Sequence, residues 1–288
     1  NRIPGKIKSK FNTNPTEIGD KMKILIIGCG LVGKGLAISL KAKGHFIIGT
    51  TTSPARIEEL QEFCDEAKVL VGADREALHD AARGCDAIVV CAGPSAKKAM
   101  TPEQRKHSYH QILVETAKNA GSSSLDGPVI ALSSLSVHGD AANHLPLIDE
   151  TSPLTSDDDA SPVCFQAAER IYLNESNGRG CVFRCSDITG AGDPPIEAKI
   201  EMAHTYLKGS VPFHDDALFY RVHQKDVIRA IEFALDNELR GIYNLTHQER
   251  PPANKPFFNM ICDKLNLPHL VFRNELKGPS KPVSVDKL

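Results

Sequence analysis

The residues Gly28-Cys29-Gly30-Leu31-Val32-Gly33 form a G-x-G-x-x-G that follows the strand-like run Lys23–Ile27 and opens a helical pattern at Leu31. In that setting each glycine has its own task. Gly28 permits the tight turn, Gly30 lets the backbone approach a pyrophosphate, and Gly33 lets helix and strand pack closely. The first helical residues, Leu31 and Val32, offer free N–H groups and the positive end of the helix dipole to the phosphates. The chemistry implied is dinucleotide binding. The next strand ends in Thr50-Thr51-Thr52-Ser53-Pro54-Ala55-Arg56, where an acid about 20 residues past the glycines would accept the ribose hydroxyls of NAD. An acid repels a 2′-phosphate, whereas Thr51, Thr52 or Ser53 can donate to it and Arg56 can pair with it. The expected cofactor is therefore NADP rather than NAD. The same hydroxyls also suit the cap of a helix starting near Ala55, and the two roles are compatible.

Two other groupings carry chemical side chains. His107 and His110 are spaced to share a helix face, but no third ligand lies nearby, so a solvated polar face is expected and no metal site. Asp157-Asp158-Asp159 reads as an acidic loop that discourages anionic substrates.

The elements that must position these residues alternate along the chain. Strand patterns at Lys23–Ile27, His45–Gly49, Ala67–Val71, Ala87–Cys91, Val129–Ser133 and Gly180–Arg184 are separated by helical ones at Leu31–Lys43, Ala55–Cys64, Arg75–Arg83, Thr101–Ala120 and Pro162–Asn174. Such alternation predicts an α/β fold, a doubly wound parallel sheet of Rossmann type spanning 22–190. Beyond Arg184 the pattern becomes irregular: helices at Ile196–Lys208, Asp226–Leu235 and Lys255–Leu265, and a short strand at Gly241–Leu245. A smaller C-terminal region, 191–288, is expected to pack on the main sheet and form the substrate side.

Composition excludes several classes. The 288 residues are 41% hydrophobic and 24% charged, with a net charge of −2; this is a globular composition and not that of a general nucleic-acid binder. The longest apolar runs fall far short of the roughly 20 residues that cross a membrane, so a soluble protein without membrane insertion is expected. The eight cysteines include several inside apolar runs, and no C-x-x-C occurs. Reduced thiols in a cytoplasmic or organellar (matrix or stroma) compartment are the expectation. Residues 1–21 are basic, with Arg2, Lys6, Lys8, Lys10 and Lys21 against Glu17 and Asp20. They read as a flexible extension, whether an expression scar, a targeting remnant or a docking arm.

With these residues placed, the chain resembles the extended short-chain dehydrogenase/reductases of the NAD(P)-dependent epimerase/dehydratase superfamily. The glycine motif matches their first turn. Asp74 matches an acid set beside the adenine, and Cys91-Ala92-Gly93-Pro94 the turn that passes under the cofactor, through Ala92 and Gly93. Ser133-Ser134-Leu135-Ser136-Val137-His138-Gly139-Asp140 is similar to the family's S-S-x-x-V-Y-G-D, and Arg184–Gly192 and Arg221–Val227 resemble later segments. The resemblance implies an NADP-dependent oxidoreductase or epimerase-like enzyme acting on a small molecule, as a homodimer or within a larger assembly. It also implies that Ser134 is the catalytic hydroxyl, while Ser133 and Ser134 could equally satisfy backbone groups at the strand end.

One departure stands out. Family enzymes carry Y-x-x-x-K with a glutamate four residues later; here Glu169 anchors a register that puts Ser161 and Phe165 at those positions, and no Y-x-x-x-K occurs anywhere in the chain. A serine is far too weak an acid, and phenylalanine carries no charge. The missing proton donor makes His138 a candidate replacement, since its ordinary pKa of about 6.5 suits transfer near neutrality; the stronger expectation for His138 is a hydrogen-bonded loop histidine. Cys164 and Tyr172 share the helix but are not assigned a role. The alternative reading is a non-catalytic NADP(H)-binding regulatory or structural subunit.

Overall fold

The computed structural model describes residues 21–94 and 100–288. The basic extension, apart from Lys21, lies outside the described residues. In chain order the elements are β1 (Lys23–Ile27), α1 (Leu31–Ala42), β2 (Phe46–Thr51), α2 (Ile57–Gln61), β3 (Glu66–Val69), α3 (Arg75–Ala82) and β4 (Ala87–Val90). They continue with α4 (Pro102–Tyr109), α5 (Thr116–Gly121), β5 (Val129–Ser134), α6 (Ala160–Asn174), β6 (Gly180–Cys185) and β7 (Asp187–Thr189). The last group is α7 (Ile196–Leu207), β8 (Ser210–Phe213), β9 (Arg221–His223), α8 (Gln224–Asp236), β10 (Gly241–Leu245), α9 (Asn254–Leu265) and β11 (Val271–Leu276).

Seven strands form one parallel sheet in the order β10-β6-β5-β4-β1-β2-β3. In β1 alternate residues serve opposite layers. Ile24 and Ile26 join a core with Leu36, Leu40 and Ile231, while Leu25 and Ile27 join one with Leu78, Ile88 and Ala117. Helices therefore cover both faces, which is why the strands read as near-continuous apolar runs. The order runs outward from β1 in two directions, so the crevice at the carboxyl ends of β1 and β4 is the topological switch point where ligands bind in such sheets.

The boundary expected at residue 190 does not contain the whole sheet. Strand β10 pairs with β6 from Gly241↔Cys181 to Leu245↔Cys185. Helix α8 packs its apolar face, including Val227 and Ile231, into the same core as α1. What stands apart is a small lobe in which β8 pairs with β11 over a core of Ile200, Val211, Phe258, Ile261 and Leu270. No helix among the described residues is long and apolar enough to cross a membrane.

The region expected as one helix over 101–120 is continuous but uneven. A capping box between Thr101 and Gln104 starts α4, and a π-helical stretch at His110–Glu115 links it to α5. Wide turns of this kind recur at functional sites.

Candidate cofactor and substrate site

The three glycines of the loop after β1 sit in three different environments. Gly28 has φ +93°, and a Cβ there would lie 2.8 Å from Ala92 Cα; its N–H donates to the buried Thr50 hydroxyl at 3.0 Å. Gly33 abuts the strand so closely that a Cβ would stand 2.2 Å from the Gly28 carbonyl oxygen. At Gly30 a Cβ would meet nothing within 4 Å, and Gly30 starts α1 without any side-chain cap. Among the described residues no side-chain oxygen caps this helix N-terminus. Gly93, in the turn after β4 on the other side of the switch point, also faces open space.

At the end of β2, Thr51 is buried and its hydroxyl accepts from the Ser53 N–H at 3.2 Å. Ser53 opens the short turn Pro54–Arg56 without a side-chain cap hydrogen bond, and Thr52 is exposed. Arg56 donates to the Cys29 carbonyl at 3.0 Å, which holds its guanidinium against the glycine loop. Arg56 and Lys34 both bind Glu59, at 2.9 and 2.8 Å, and these two cations hold the Glu59 carboxyl down at about 2. Asp74 N-caps α3, one carboxylate oxygen accepting from the Ala77 N–H at 3.1 Å.

Behind the ends of β5 and β6 lies a buried polar network. Ser133 donates to Glu169 at 2.6 Å, and Glu169 takes a bidentate pair from Arg184, at 3.0 and 2.8 Å. Both charged groups are almost inaccessible, with 2% exposure at Arg184 and 3% at Glu169. The other arm of Arg184 reaches the Glu150 carbonyl at 3.2 Å and His138 Nε2 at 3.3 Å. Since arginine can only donate, Nε2 accepts, so Nδ1 carries the proton and donates to the Pro153 carbonyl at 3.0 Å.

This placement matches the stronger expectation for His138, a hydrogen-bonded loop histidine. Its ring is fully buried and both nitrogens are engaged. Burial pushes its pKa below the ordinary value, with Arg184 adding to the effect and the Pro153 carbonyl opposing it. Through its two hydrogen bonds the imidazole ties Arg184 to the Pro153 segment.

Ser134 is positioned differently. It ends β5, accepts from the Ser136 N–H at 3.1 Å, and lines a cleft of about 1330 Å³ between the sheet ends and the C-terminal lobe. Ser136 and Ser161 line it too, their hydroxyls 3.4 Å apart. Phe165, one turn along α6, is instead packed against the core. The lining also includes Tyr109, Arg105 and Asp187, none of which the sequence reading selected. Arg105 lies over the Tyr109 ring at 4.6 Å and donates to its hydroxyl at 3.5 Å. Asp159, the N-cap of α6, anchors Arg105 at 2.5 Å. The Asp187 carboxyl, exposed in the cleft, is raised above its ordinary pKa by partial desolvation, with Asp193 adding to this and Lys199 and Arg221 opposing it.

Elsewhere, all eight cysteines are free. His110 lies 3.6 Å from Glu115. His214, Asp215 and Asp216 lie together at the lobe, a grouping the sequence reading did not single out.

Residues 23–119 match the family model described as NADP oxidoreductase coenzyme F420-dependent. Over 261 residues, 88% of each chain, the sequence is 26% identical to Protein YeeZ of Escherichia coli strain K12. Among solved structures, WbmH of Bordetella bronchiseptica, in complex with NAD+, superposes with a TM-score of 0.72 at 18% identity, covering 93% of this chain and 90% of that one. The dTDP-4-dehydrorhamnose reductase of Bacillus anthracis, in complex with NADP, gives 0.69 at 16% identity, covering 93% and 92%. The fold is the one these enzymes share. The resemblance seen in the sequence thus extends over nearly the whole chain as architecture.

Proposed function

We propose that this chain is an NADP-dependent oxidoreductase or epimerase-like enzyme, with the cofactor on the glycine loop and a small-molecule substrate in the adjoining cleft. The observation that carries it is the division of labour among the glycines: Gly28 and Gly33 are enforced by packing, while Gly30 is small toward empty space. A purely structural turn has no use for the second glycine; a pyrophosphate lying over the helix N-terminus does. Arg56, held at the loop by the Cys29 carbonyl, stands where a 2′-phosphate would need a partner. Asp74, Ala92 and Gly93 would border the adenosine and the central part of the same ligand. The bound cofactor would supply the hydride; the chain's own residues orient the substrate and move the proton.

For that proton Tyr109 takes the place of the missing pair. Its phenol lines the cleft that Ser134 also lines, and Arg105 fixes it by donating to its oxygen at 3.5 Å and stacking on its ring. Ser134 would hold the substrate oxygen. Saturable quenching of NADPH fluorescence on titration with the protein tests the reading, and its absence rejects it.

A second reading, a non-catalytic NADP(H)-binding subunit, is favoured by one feature. The residues at the usual tyrosine and lysine positions, Ser161 and Phe165, are a weak acid and a core-packed ring. NADPH binding without any turnover by an otherwise intact cleft would support it.

A further inference from the structure

The walls of the cleft say what it accepts. Toward the C-terminal lobe they are apolar. Phe219 and Phe258 meet at 5.0 Å between ring centroids, backed by Ile200 and Leu270. At the mouth, α7 presents Met202 and Tyr206, 49% and 74% exposed, opposite Phe213 at 41%. A volume of about 1330 Å³ exceeds the roughly 300–1,000 Å³ of ordinary small-ligand pockets.

The charges are as informative as the apolar surface. Among the described residues three cations line the cleft, and each is already held by a carboxylate. Arg105 binds Asp159 at 2.5 Å, Lys199 binds Asp193 at 2.8 Å, and Lys277 sits between Asp140 and Asp157 at 3.2 and 3.4 Å. Asp187 lines the same wall and makes no ion pair among the described residues. The N-terminus of α7 also opens here, but Glu197 in its first turn opposes an anion. A diphosphate needs free guanidinium or ammonium groups, or an unopposed helix N-terminus. Among the described residues the lining offers neither, and Asp187 would repel one.

We infer that the substrate is an uncharged, largely apolar molecule carrying one hydroxyl or carbonyl group, and not a nucleoside-diphosphate sugar. Its polar end sits at Ser134, Ser136 and Ser161, and its apolar body extends along Phe219 and Phe258 toward the mouth between α7 and β8. The inference deepens the proposed function and rests on it for the redox step alone; occupancy of the cleft is measurable without cofactor.

The test uses the whole chain and two probes. N-phenyl-1-naphthylamine, an uncharged dye that fluoresces in apolar surroundings, should bind saturably and be displaced by 2-dodecanone but not by UDP-glucose. Met202→Glu and Phe213→Glu place a charge on two separate, partly exposed walls. Each should weaken dye binding about tenfold while circular dichroism and NADPH titration stay unchanged. Binding of UDP-glucose by calorimetry, or dye binding indifferent to both substitutions in folded protein, overturns the inference. Loss of NADPH binding with the dye result intact would instead reject the proposed function, so the two failures are distinguishable.

Discussion

Arg105 lies flat against Tyr109, its guanidinium carbon 4.6 Å from the ring centroid and one nitrogen 3.5 Å from the phenolic oxygen, and both side chains face the cleft that Ser134 borders. The pair stands at the end of α4, where the π-helical stretch begins. It brings a phenol and a fixed cation to a site whose usual tyrosine and lysine positions hold Ser161 and Phe165.

Tyr109→Phe should therefore lower NADPH-dependent reduction of an apolar ketone such as 2-dodecanone by about 10²–10⁴-fold, the ordinary worth of general acid catalysis. NADPH binding should not change. Arg105→Met removes the donor that fixes the phenol and should reduce turnover while leaving NADPH binding unchanged. Undiminished turnover in Tyr109→Phe would remove Tyr109 from the mechanism. Nucleotide sugars should be turned over slowly or not at all.

His138 should behave as a structural residue. His138→Ala removes the partner of both the Pro153 carbonyl and one Arg184 nitrogen, and should cost about 1–3 kcal/mol in urea denaturation. Its pKa is lowered in the folded state, so the unfolded chain binds the proton more readily. The stabilisation is present above about pH 6.5, the ordinary histidine value, and is lost as pH falls below it. The wild-type curve should thus lose stability below that pH more steeply than the alanine variant. A His138→Ala protein that keeps its stability but loses turnover would contradict this assignment.

The glycines separate by mutation. Gly30→Val should leave the fold and its melting temperature nearly unchanged, since a Cβ there meets nothing within 4 Å among the described residues, and should abolish NADPH binding. Gly33→Val should destabilise the protein itself, because the new Cβ meets the Gly28 carbonyl. Thermal melts with and without NADPH distinguish the two; normal cofactor binding by Gly30→Val would place the phosphates elsewhere.

Much of the architecture is legible in the chain because it rests on local pattern. The run Lys23–Ile27 and the glycines after it form β1 and the turn into α1 at the expected residues, since strand, turn and helix signals agree there. Strand β10 is less legible as part of the main sheet, because its place depends on α8 docking against α1 far away in sequence. The π-helical stretch leaves no composition signal, so Arg105-Lys106-His107-Ser108-Tyr109-His110 reads as two histidines on a solvated face; the structure makes Arg105 and Tyr109 its consequential members. His138 is invisible as a core residue for a similar reason. Its fate is set by Arg184 on β6 and by Pro153, and no short-range spacing announces either.

The account depends most on the glycine loop binding a 2′-phosphorylated dinucleotide, and calorimetric titration with NADPH and NADH measures that directly. NADPH should bind more tightly than NADH, and Arg56→Ala should weaken NADPH by about tenfold or more, the worth of a charge-assisted hydrogen bond, while leaving NADH nearly unaffected. Equal affinity for the two cofactors, a preference for NADH, or no binding of either would contradict it.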